Sequence, residues 1–366
     1  MIYSLFYFDT CSKRYKKEEL IIKLKCKIKM ERNIPKGFPS NTIASERAWN
    51  KRSNISGIVH PFSSETQEEV RYYIRSQAPE GLLTRIEIEC VEYNPKKLPS
   101  LTDEIEEVRP QVDTGIGFVV FPKWVGLNVH QSRVASWLVD NAFGETRVQD
   151  EEGSRLIEIF NMSDNLSMKS GARYHVTREG NSPHTDAVQV LEDPDYLCLR
   201  CVSDALVGGE NILVSADSIY NHLLENAPWM IRTLNKDFFF HSRGVSPADG
   251  KEHVAAPILS IDDGGLRLRF LDHYIREGHK VAGQSLTHEQ ERAIQYLNSL
   301  FEQSDLQFRA RLEPGQQVVF ANKRMLHART EFTDYNSATG FYNPAQLDNL
   351  ETANRLMDRT WSYKRN

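Results

Sequence analysis

The sequence predicts a mainly β fold with flanking helices, of the α+β class, built around a β-barrel. Two short apolar runs, residues 196–202 and 317–329, have the composition of buried strands next to turn-forming or polar residues. Between them, strand-like runs alternate with one clear helix. Such a long separation between two strand segments is typical of a β-barrel, whose walls bring residues that are remote in sequence together at one end.

Two elements are predicted before the first of these strands. Residues 66–75 are expected to form a helix, with Thr66 as the N-cap and Glu69 completing a capping box. Residues 115–122 are expected to form a strand that ends at Pro122. The glycines of this segment do not predict nucleotide binding, because the third glycine of a dinucleotide loop is missing and the segment is itself the strand.

The helix between the two apolar runs is predicted to begin after Thr287, which forms a second capping box with Gln290. His288 is then an exposed residue of the first turn and not a metal ligand. Cys198 and Cys201 have the spacing of half a zinc site, but residues three apart on a strand point to opposite faces. We therefore expect both cysteines to be structural.

A pattern of metal ligands borders the predicted strands. His184 and Asp186, separated by one residue, supply an imidazole and a carboxylate, and His327 can add a second imidazole from far along the chain. Two histidines and one carboxylate on one face of a metal leave the opposite face open, which is the arrangement of non-haem Fe(II) oxygenases. The open positions allow dioxygen and an oxo-acid cosubstrate to bind the iron. The sequence therefore predicts an Fe(II) site formed by His184, Asp186 and His327.

Composition excludes several other classes of protein. The formal net charge of −5 provides no positive field to attract nucleic acid. No stretch approaches the roughly 18 apolar residues that a membrane span requires. The 5 cysteines in 366 residues have no even spacing, which argues against a disulfide framework and predicts a reducing, cytoplasmic compartment. Small-molecule partners are expected, and assembly into a homo-oligomer is left open.

From about Trp49 onwards, the sequence resembles the taurine dioxygenase-like Fe(II)/2-oxoglutarate oxygenases. The resemblance is carried by His184-Thr185-Asp186, by residues 197–211, by residues 312–315, and by residues 322–329. The closing segment, residues 327–356, is most similar to that of trimethyllysine dioxygenase, with γ-butyrobetaine dioxygenase a more distant relative. The resemblance implies a double-stranded β-helix, or jelly-roll, barrel. It also implies Fe(II), bound by His184, Asp186 and His327, with 2-oxoglutarate as cosubstrate.

The basic composition of the first residues and the same resemblance together divide the chain into three parts. Residues 1–30 are a basic extension, expected to be loosely attached or to follow a non-native start. Residues 31–112 are expected to be a helical and linker region that packs on the barrel, and residues 113–366 to be the catalytic domain.

One position departs from the family pattern. The resemblance places an arginine, which clamps the distal carboxylate of 2-oxoglutarate, where this chain has Asn336. Either Arg329 or Arg324 then supplies the charge, or the site works with another cosubstrate or none. Two alternatives to a 2-oxoglutarate-dependent dioxygenase therefore stay open: an iron oxidase of the same fold that uses no 2-oxoglutarate, and a non-catalytic ligand-binding relative.

The substrate class is predicted only broadly. Hydroxylation of an unactivated C–H bond of a small, amino-acid-like metabolite is the expected reaction. The carnitine-pathway relatives hold a trimethylammonium group against aromatic rings, and Trp124, Tyr174 and Tyr220 are candidates for such a cage. His175 is a candidate for a supporting or substrate-binding role, because it lies on the segment leading into the metal motif.

Overall fold

The computed structural model describes residues 34–365 except 45, 52, 54–56, 78–83, 245–249, 263–264, 338–345 and 348. The predicted extension, residues 1–30, lies outside the described residues. The described helices are α1 (Ser64–Gln77), α2 (Arg85–Glu89), α3 (Pro99–Asp113), α4 (Val129–Phe143), α5 (Ala216–Asn226), α6 (Trp229–Leu234), α7 (Asp272–Val281) and α8 (His288–Phe301).

The strands confirm that the fold is mixed, with a sheet-rich centre. They are β1 (Phe118–Phe121), β2 (Glu145–Thr146), β3 (Leu156–Ile159), β4 (Tyr196–Ser203), β5 (Val207–Gly208), β6 (Asn211–Ser215), β7 (Asp237–His241), β8 (His253–Pro257), β9 (Leu259–Asp262), β10 (Gly265–Leu268), β11 (Gln307–Ala310), β12 (Gln317–Ala321), β13 (Met325–Arg329), β14 (Phe332–Thr333) and β15 (Leu356–Tyr363). The second predicted run, residues 317–329, is two strands separated by a turn.

Two antiparallel sheets position the residues of interest. The larger has the strand order β1-β12-β4-β15-β2, with β3 also paired to β15. The smaller has the order β11-β6-β13. Neighbouring strands of both sheets are far apart in sequence, so the sheets bring distant segments side by side.

The central strand β4 is buried on both faces. Leu197, Leu199 and Cys201 pack into a core that also contains Leu213 from β6 and Met325 from β13, which places this core between the two sheets. Tyr196 and Cys198 point the other way, into a core shared with α3 and α4. Because side chains alternate along a strand, Cys198 and Cys201 lie on opposite faces and are buried, as predicted.

The start of α1 differs from the prediction. The helix begins at Ser64, and the Ser63 hydroxyl accepts the Thr66 N–H at 3.1 Å, so Thr66 is not the cap. Glu69 instead accepts the N–H groups of Ser100 and Leu101, both at 3.0 Å. The first turn of α3 has no side-chain cap of its own. Its free N–H groups donate instead to the Glu69 carboxylate of the neighbouring helix α1. At α8 the predicted capping box between Thr287 and Gln290 is present, and His288 is exposed.

Asp140 is a buried carboxylic acid beneath the larger sheet. It is 5% exposed, and it accepts hydrogen bonds from the Thr360 hydroxyl at 2.8 Å and from the Gln317 amide. Burial raises the pKa of Asp140 to about 7, against the smaller opposing effect of hydrogen bonds from Thr360 and Cys198. As pH rises, the unfolded chain loses this proton near its pKa of about 3.9, whereas the folded protein keeps it to a higher pH.

This proton predicts a pH-dependent stability. Because the folded-state pKa is raised, the free energy of unfolding should fall as pH rises from about 4 to 7, by up to about 1.4 kcal/mol for each pH unit. Asp140→Asn should remove this contribution, and Asp103→Asn, at an exposed position, is the matched control. Denaturant unfolding of the three proteins from pH 4.5 to 8 measures the difference. Parallel curves for wild type and Asp140→Asn would contradict the assignment.

No helix among the described residues is long and apolar enough to cross a membrane.

Candidate metal centre

The two candidate histidine ligands are paired through their backbones. His184 N–H donates to the His327 carbonyl at 3.0 Å, and His327 N–H donates to the His184 carbonyl at 2.8 Å. This antiparallel bridge attaches the turn before Asp186 to the edge of β13. The ring centroids of the two histidines are consequently 4.3 Å apart.

The backbone of Asp186 is held by a buried amide. The Asn322 side chain accepts the Asp186 N–H at 2.9 Å and donates to the Asp186 carbonyl at 3.2 Å. Asn322 lies in the turn between β12 and β13, so the turn that leads to His327 also holds the backbone of Asp186. Ala187, the next residue, has a φ of 59°, which is unusual for a residue with a side chain.

The candidate ligand atoms converge. One atom from each of His184, Asp186 and His327 lies within 4.8 Å of the others. The Asp186 Oδ1 atom is 3.5 Å from His184 Nε2 and 3.7 Å from His327 Nε2. His184 Nδ1 is 2.9 Å from the Ser182 carbonyl, and this contact orients Nε2 towards the other two groups. The structure therefore brings the three predicted residues together as two nitrogens and one oxygen on one side of a pocket.

The electrostatics leave Asp186 and His327 in the forms that bind a cation. Burial alone would raise the pKa of Asp186, but the Arg359 guanidinium and the two histidines bring it below its usual range. Burial, with the neighbouring His184, lowers the pKa of His327 to about 3. At neutral pH the site thus offers a carboxylate and a neutral imidazole, the forms that ligate metals.

A cavity of about 480 Å³ opens directly above these residues. Among the predicted candidates, Tyr174, His175 and Arg329 line it. Trp124 is stacked on Phe62 in a different core, and Tyr220 is buried with its hydroxyl donating to the Pro39 carbonyl. The three proposed cage aromatics are therefore not brought together.

The position predicted to replace the family arginine lies outside this cavity. Asn336 is exposed, and its amide donates to the Thr352 carbonyl at 3.0 Å. Its N–H donates to the Asn354 side chain at 2.9 Å, so the segment around residue 336 is tied to residues 352–354. Arg324 is also remote, because its guanidinium binds the carbonyls of Asp113 and Gly115 and the carboxylate of Asp217. The structure does not place Asn336 or Arg324 where either could touch a ligand of this cavity.

Sequence reasoning missed Arg355 and the face of β15 that follows it, which together complete the cavity wall. Arg355, Met357, Arg359 and Trp361 alternate along the chain, and all four line the cavity. Arg359 pairs with Asp186 Oδ2 at 2.9 Å, and the Trp361 indole N–H donates to the same oxygen at 2.8 Å. The available signal was two arginines four positions apart in an otherwise strand-like segment.

Two of the lining arginines retain unused donors among the described residues, Nη1 of Arg355 and Nε of Arg329. Arg355 is 3% exposed, and its Nη1 has no hydrogen-bond partner within the described part of the chain. Arg329 donates through Nη2 to the carbonyls of Thr177, at 2.9 Å, and Glu179, at 2.5 Å. Both guanidinium groups stack on Phe332, at 4.8 Å for Arg329 and 5.0 Å for Arg355. Arg329 is thus largely engaged with backbone, whereas Arg355 is the freer cation.

The fold and site together define a mixed α/β protein with a two-histidine, one-carboxylate centre at the base of a cavity. Residues 81–340 match the taurine catabolism dioxygenase TauD, TfdA family, and the chain belongs to that family. It is 27% identical over 210 residues to FR-33289 synthase of Streptomyces rubellomurinus, a match that covers 57% of this chain and 60% of that protein. It is 25% identical over 177 residues to mitochondrial trimethyllysine dioxygenase of Bos taurus, covering 47% of this chain and 42% of the relative.

A solved structure has the same fold. The complex of asparagine oxygenase with Fe(II), 2S,3S-3-hydroxyasparagine and succinate superposes with a TM-score of 0.60, covering 84% of this chain and 93% of that one. The identity is 15%, so this likeness concerns the fold alone. The resemblance predicted from the sequence motifs is confirmed at the level of the family.

Proposed function

We propose that the protein is an Fe(II)- and 2-oxoglutarate-dependent dioxygenase that hydroxylates an unactivated C–H bond of a small metabolite. The observation that carries the proposal is the convergence of His184, Asp186 and His327 at the base of a cavity that also contains a buried, incompletely bonded arginine, Arg355. Family membership supports it.

The donor set fits Fe(II). Two imidazole nitrogens and one carboxylate oxygen suit a divalent first-row metal, and their position on one side leaves the cavity side free for other ligands. We assign His184, Asp186 and His327 as the metal ligands. Arg359 and Trp361 both contact Asp186 Oδ2, which leaves Oδ1, the atom facing both histidines, for the metal.

The cavity also fits an oxo-acid cosubstrate. The Nη1 atom of Arg355 is a buried donor without a partner among the described residues, and a carboxylate is the acceptor that such a guanidinium requires. We assign Arg355 as the residue that binds the distal carboxylate of 2-oxoglutarate, with Arg329 beside it. This assignment replaces Asn336, and it removes the reason for the two alternatives that dispensed with 2-oxoglutarate.

When bound, Fe(II) and 2-oxoglutarate activate dioxygen, and the overall reaction converts substrate, O₂ and 2-oxoglutarate into hydroxylated substrate, succinate and CO₂. The residues of this chain bind and orient the reactants. Arg355 anchors the cosubstrate, Arg359 and Trp361 orient Asp186, and apolar residues such as Leu271 and Met357 limit the access of water. His175, whose pKa is lowered to about 4 by burial and then by Arg359 and Arg173, stays neutral in the cavity wall.

Several finer features belong to the same proposal. The two sheets around the shared core would form the double-stranded β-helix, with residues 113–366 as the catalytic domain and residues 31–112 packed against it. The match spans about 60% of the length of FR-33289 synthase, and the activity of the whole protein is part of this proposal.

The proposal is tested with purified protein loaded with Fe(II) without oxygen. We expect one equivalent of 2-oxoglutarate to bind, and admission of air to release succinate in proportion to the 2-oxoglutarate lost. Iron-loaded protein that binds no 2-oxoglutarate would contradict the proposal.

A further inference from the structure

The lining of the active-site cavity has a large excess of positive charge. Its one carboxylate among the described residues is that of Asp186, whereas six of its side chains are cationic: Lys169, Arg173, Arg243, Arg329, Arg355 and Arg359. If the proposed function is right, the charges of Fe(II) and of the 2-oxoglutarate dianion cancel each other. The excess therefore remains when both are bound, and it is available to the substrate.

Three of these cations have no assigned role at the metal or at the cosubstrate. Lys169, Arg173 and Arg243 form no ion pair with a carboxylate in the described part of the chain. Glu179 is within electrostatic range of Lys169, but it accepts hydrogen bonds from the Ser167 hydroxyl at 3.0 Å and the Met168 N–H at 2.7 Å. Lys169 and Arg173 are exposed, while Arg243 is half-buried.

The backbone at Arg243 adds an independent observation. Its φ is 53°, in the left-handed region that a long side chain rarely adopts. Within the described residues, the other non-glycine residue with positive φ is Ala187, which follows the ligand Asp186 and also lines the cavity. Backbone strain of this kind persists mainly at functional sites.

The conformation of Arg243 places its guanidinium against an aromatic wall. Its Cζ atom is 5.4 Å from the centre of the Tyr274 ring, and its charge also acts on the Tyr174 phenol. The Tyr174 ring in turn stacks on His184, with centroids 5.7 Å apart. Tyr274 beside Arg243 and Tyr174 beside His184 both line the same cavity, so aromatic rings lie next to the cation and next to the metal centre.

We propose that the substrate carries a phosphate-type dianion, which Arg243 and Arg173 bind at the exposed side of the cavity while its carbon skeleton lies along Tyr274 and Tyr174 towards the metal. Guanidinium groups bind tetrahedral oxyanions through paired, charge-assisted hydrogen bonds. A trimethylammonium substrate is disfavoured, because the cavity would repel it and the candidate cage aromatics are dispersed.

The same cations could instead guide 2-oxoglutarate into the cavity, since a field of one sign raises the rate at which an oppositely charged ligand enters. The two roles are separated by measuring substrate-like ligands on protein that already holds Fe(II) and 2-oxoglutarate. Binding of 2-oxoglutarate itself is measured first, so failure of the proposed function is recognised before the substrate class is tested.

The experiment is calorimetry without oxygen on the loaded protein with three probes that share one ring: phenyl phosphate, benzyl alcohol and phenyltrimethylammonium. We expect phenyl phosphate to bind at least about tenfold more tightly than the other two, and added salt to weaken it. Arg243→Asn should weaken the binding of phenyl phosphate about tenfold, and Arg243→Lys should restore part of the lost affinity. Asparagine tolerates positive φ better than most residues, so the melting temperature of Arg243→Asn should not fall.

The matched control is Arg292→Asn. Arg292 is exposed and lies 5.1 Å from the Trp229 ring, much as Arg243 lies over Tyr274, but it does not line the cavity. This control should leave phenyl phosphate binding unchanged. The proposal is overturned if phenyl phosphate does not bind or binds no more tightly than phenyltrimethylammonium. It is also overturned if Arg243→Asn weakens the binding of 2-oxoglutarate while leaving the binding of phenyl phosphate unchanged.

Discussion

Replacing His327 with alanine is expected to weaken Fe(II) binding by about 100-fold or more and to leave the metal-free fold intact. Loss of a residue that only supports a ligand typically costs 10- to 100-fold in metal affinity, so loss of one of three ligands should cost at least as much. The fold should survive, because His327 Nδ1 has no hydrogen-bond partner among the described residues and the bridge to His184 is made by backbone atoms.

The other two ligands should behave differently from each other. His184→Ala should resemble His327→Ala, because its contact with the Ser182 carbonyl is local. Asp186→Ala should remove Fe(II) binding and also lower the melting temperature of the metal-free protein, because Arg359 and Trp361 lose their shared acceptor.

Iron content after anaerobic loading, together with thermal melting of the metal-free proteins, measures these effects. His288→Ala is the matched control, since His288 lies exposed on the first turn of α8. Normal iron content in His184→Ala, Asp186→Ala and His327→Ala would rule out the assigned metal site.

The second large effect is expected at Arg355. Arg355→Met keeps an unbranched side chain in the cavity wall but removes the charge and the unused donor. A hydrogen bond to a charged group contributes roughly 1.5–3 kcal/mol, so 2-oxoglutarate should bind about 10- to 100-fold more weakly. Fe(II) binding should be unchanged, because Arg355 is not among the ligand residues.

Asn336→Arg provides the sharpest comparison. The family pattern alone predicts that this substitution tightens 2-oxoglutarate binding, whereas the structure predicts no effect, because residue 336 is exposed and does not line the cavity. Titration of 2-oxoglutarate into Fe(II)-loaded protein distinguishes the two expectations. Arg311→Met, at an exposed arginine paired with Asp204 at 2.6 Å, controls for the loss of charge. Tighter binding by Asn336→Arg, with unchanged binding by Arg355→Met, would restore the original assignment.

Part of the molecule could be predicted from the sequence because its determinants are local. The buried strand at residues 196–202 was recognised from its composition, and the observed β4 differs from it by one residue at its end. The capping box at Thr287 depends on residues within one turn of helix. The candidate ligands were found because His184 and Asp186 are neighbours and His327 lies in a recognisable strand segment.

The tertiary structure alone decided which arginine enters the cavity. After β14, the chain leaves the cavity, and Asn336 is tied by hydrogen bonds to residues 352 and 354 on the returning segment. That return begins β15, so Arg355 and Arg359 face the metal centre although Asn336 occupies the expected place in the motif. A motif specifies sequence spacing, but the packing of the described segments decides which side chain lines the cavity, here Arg355 and not Asn336. The positive lining has the same origin, because its cations come from four separate segments that only the packed sheets and loops bring to one cavity.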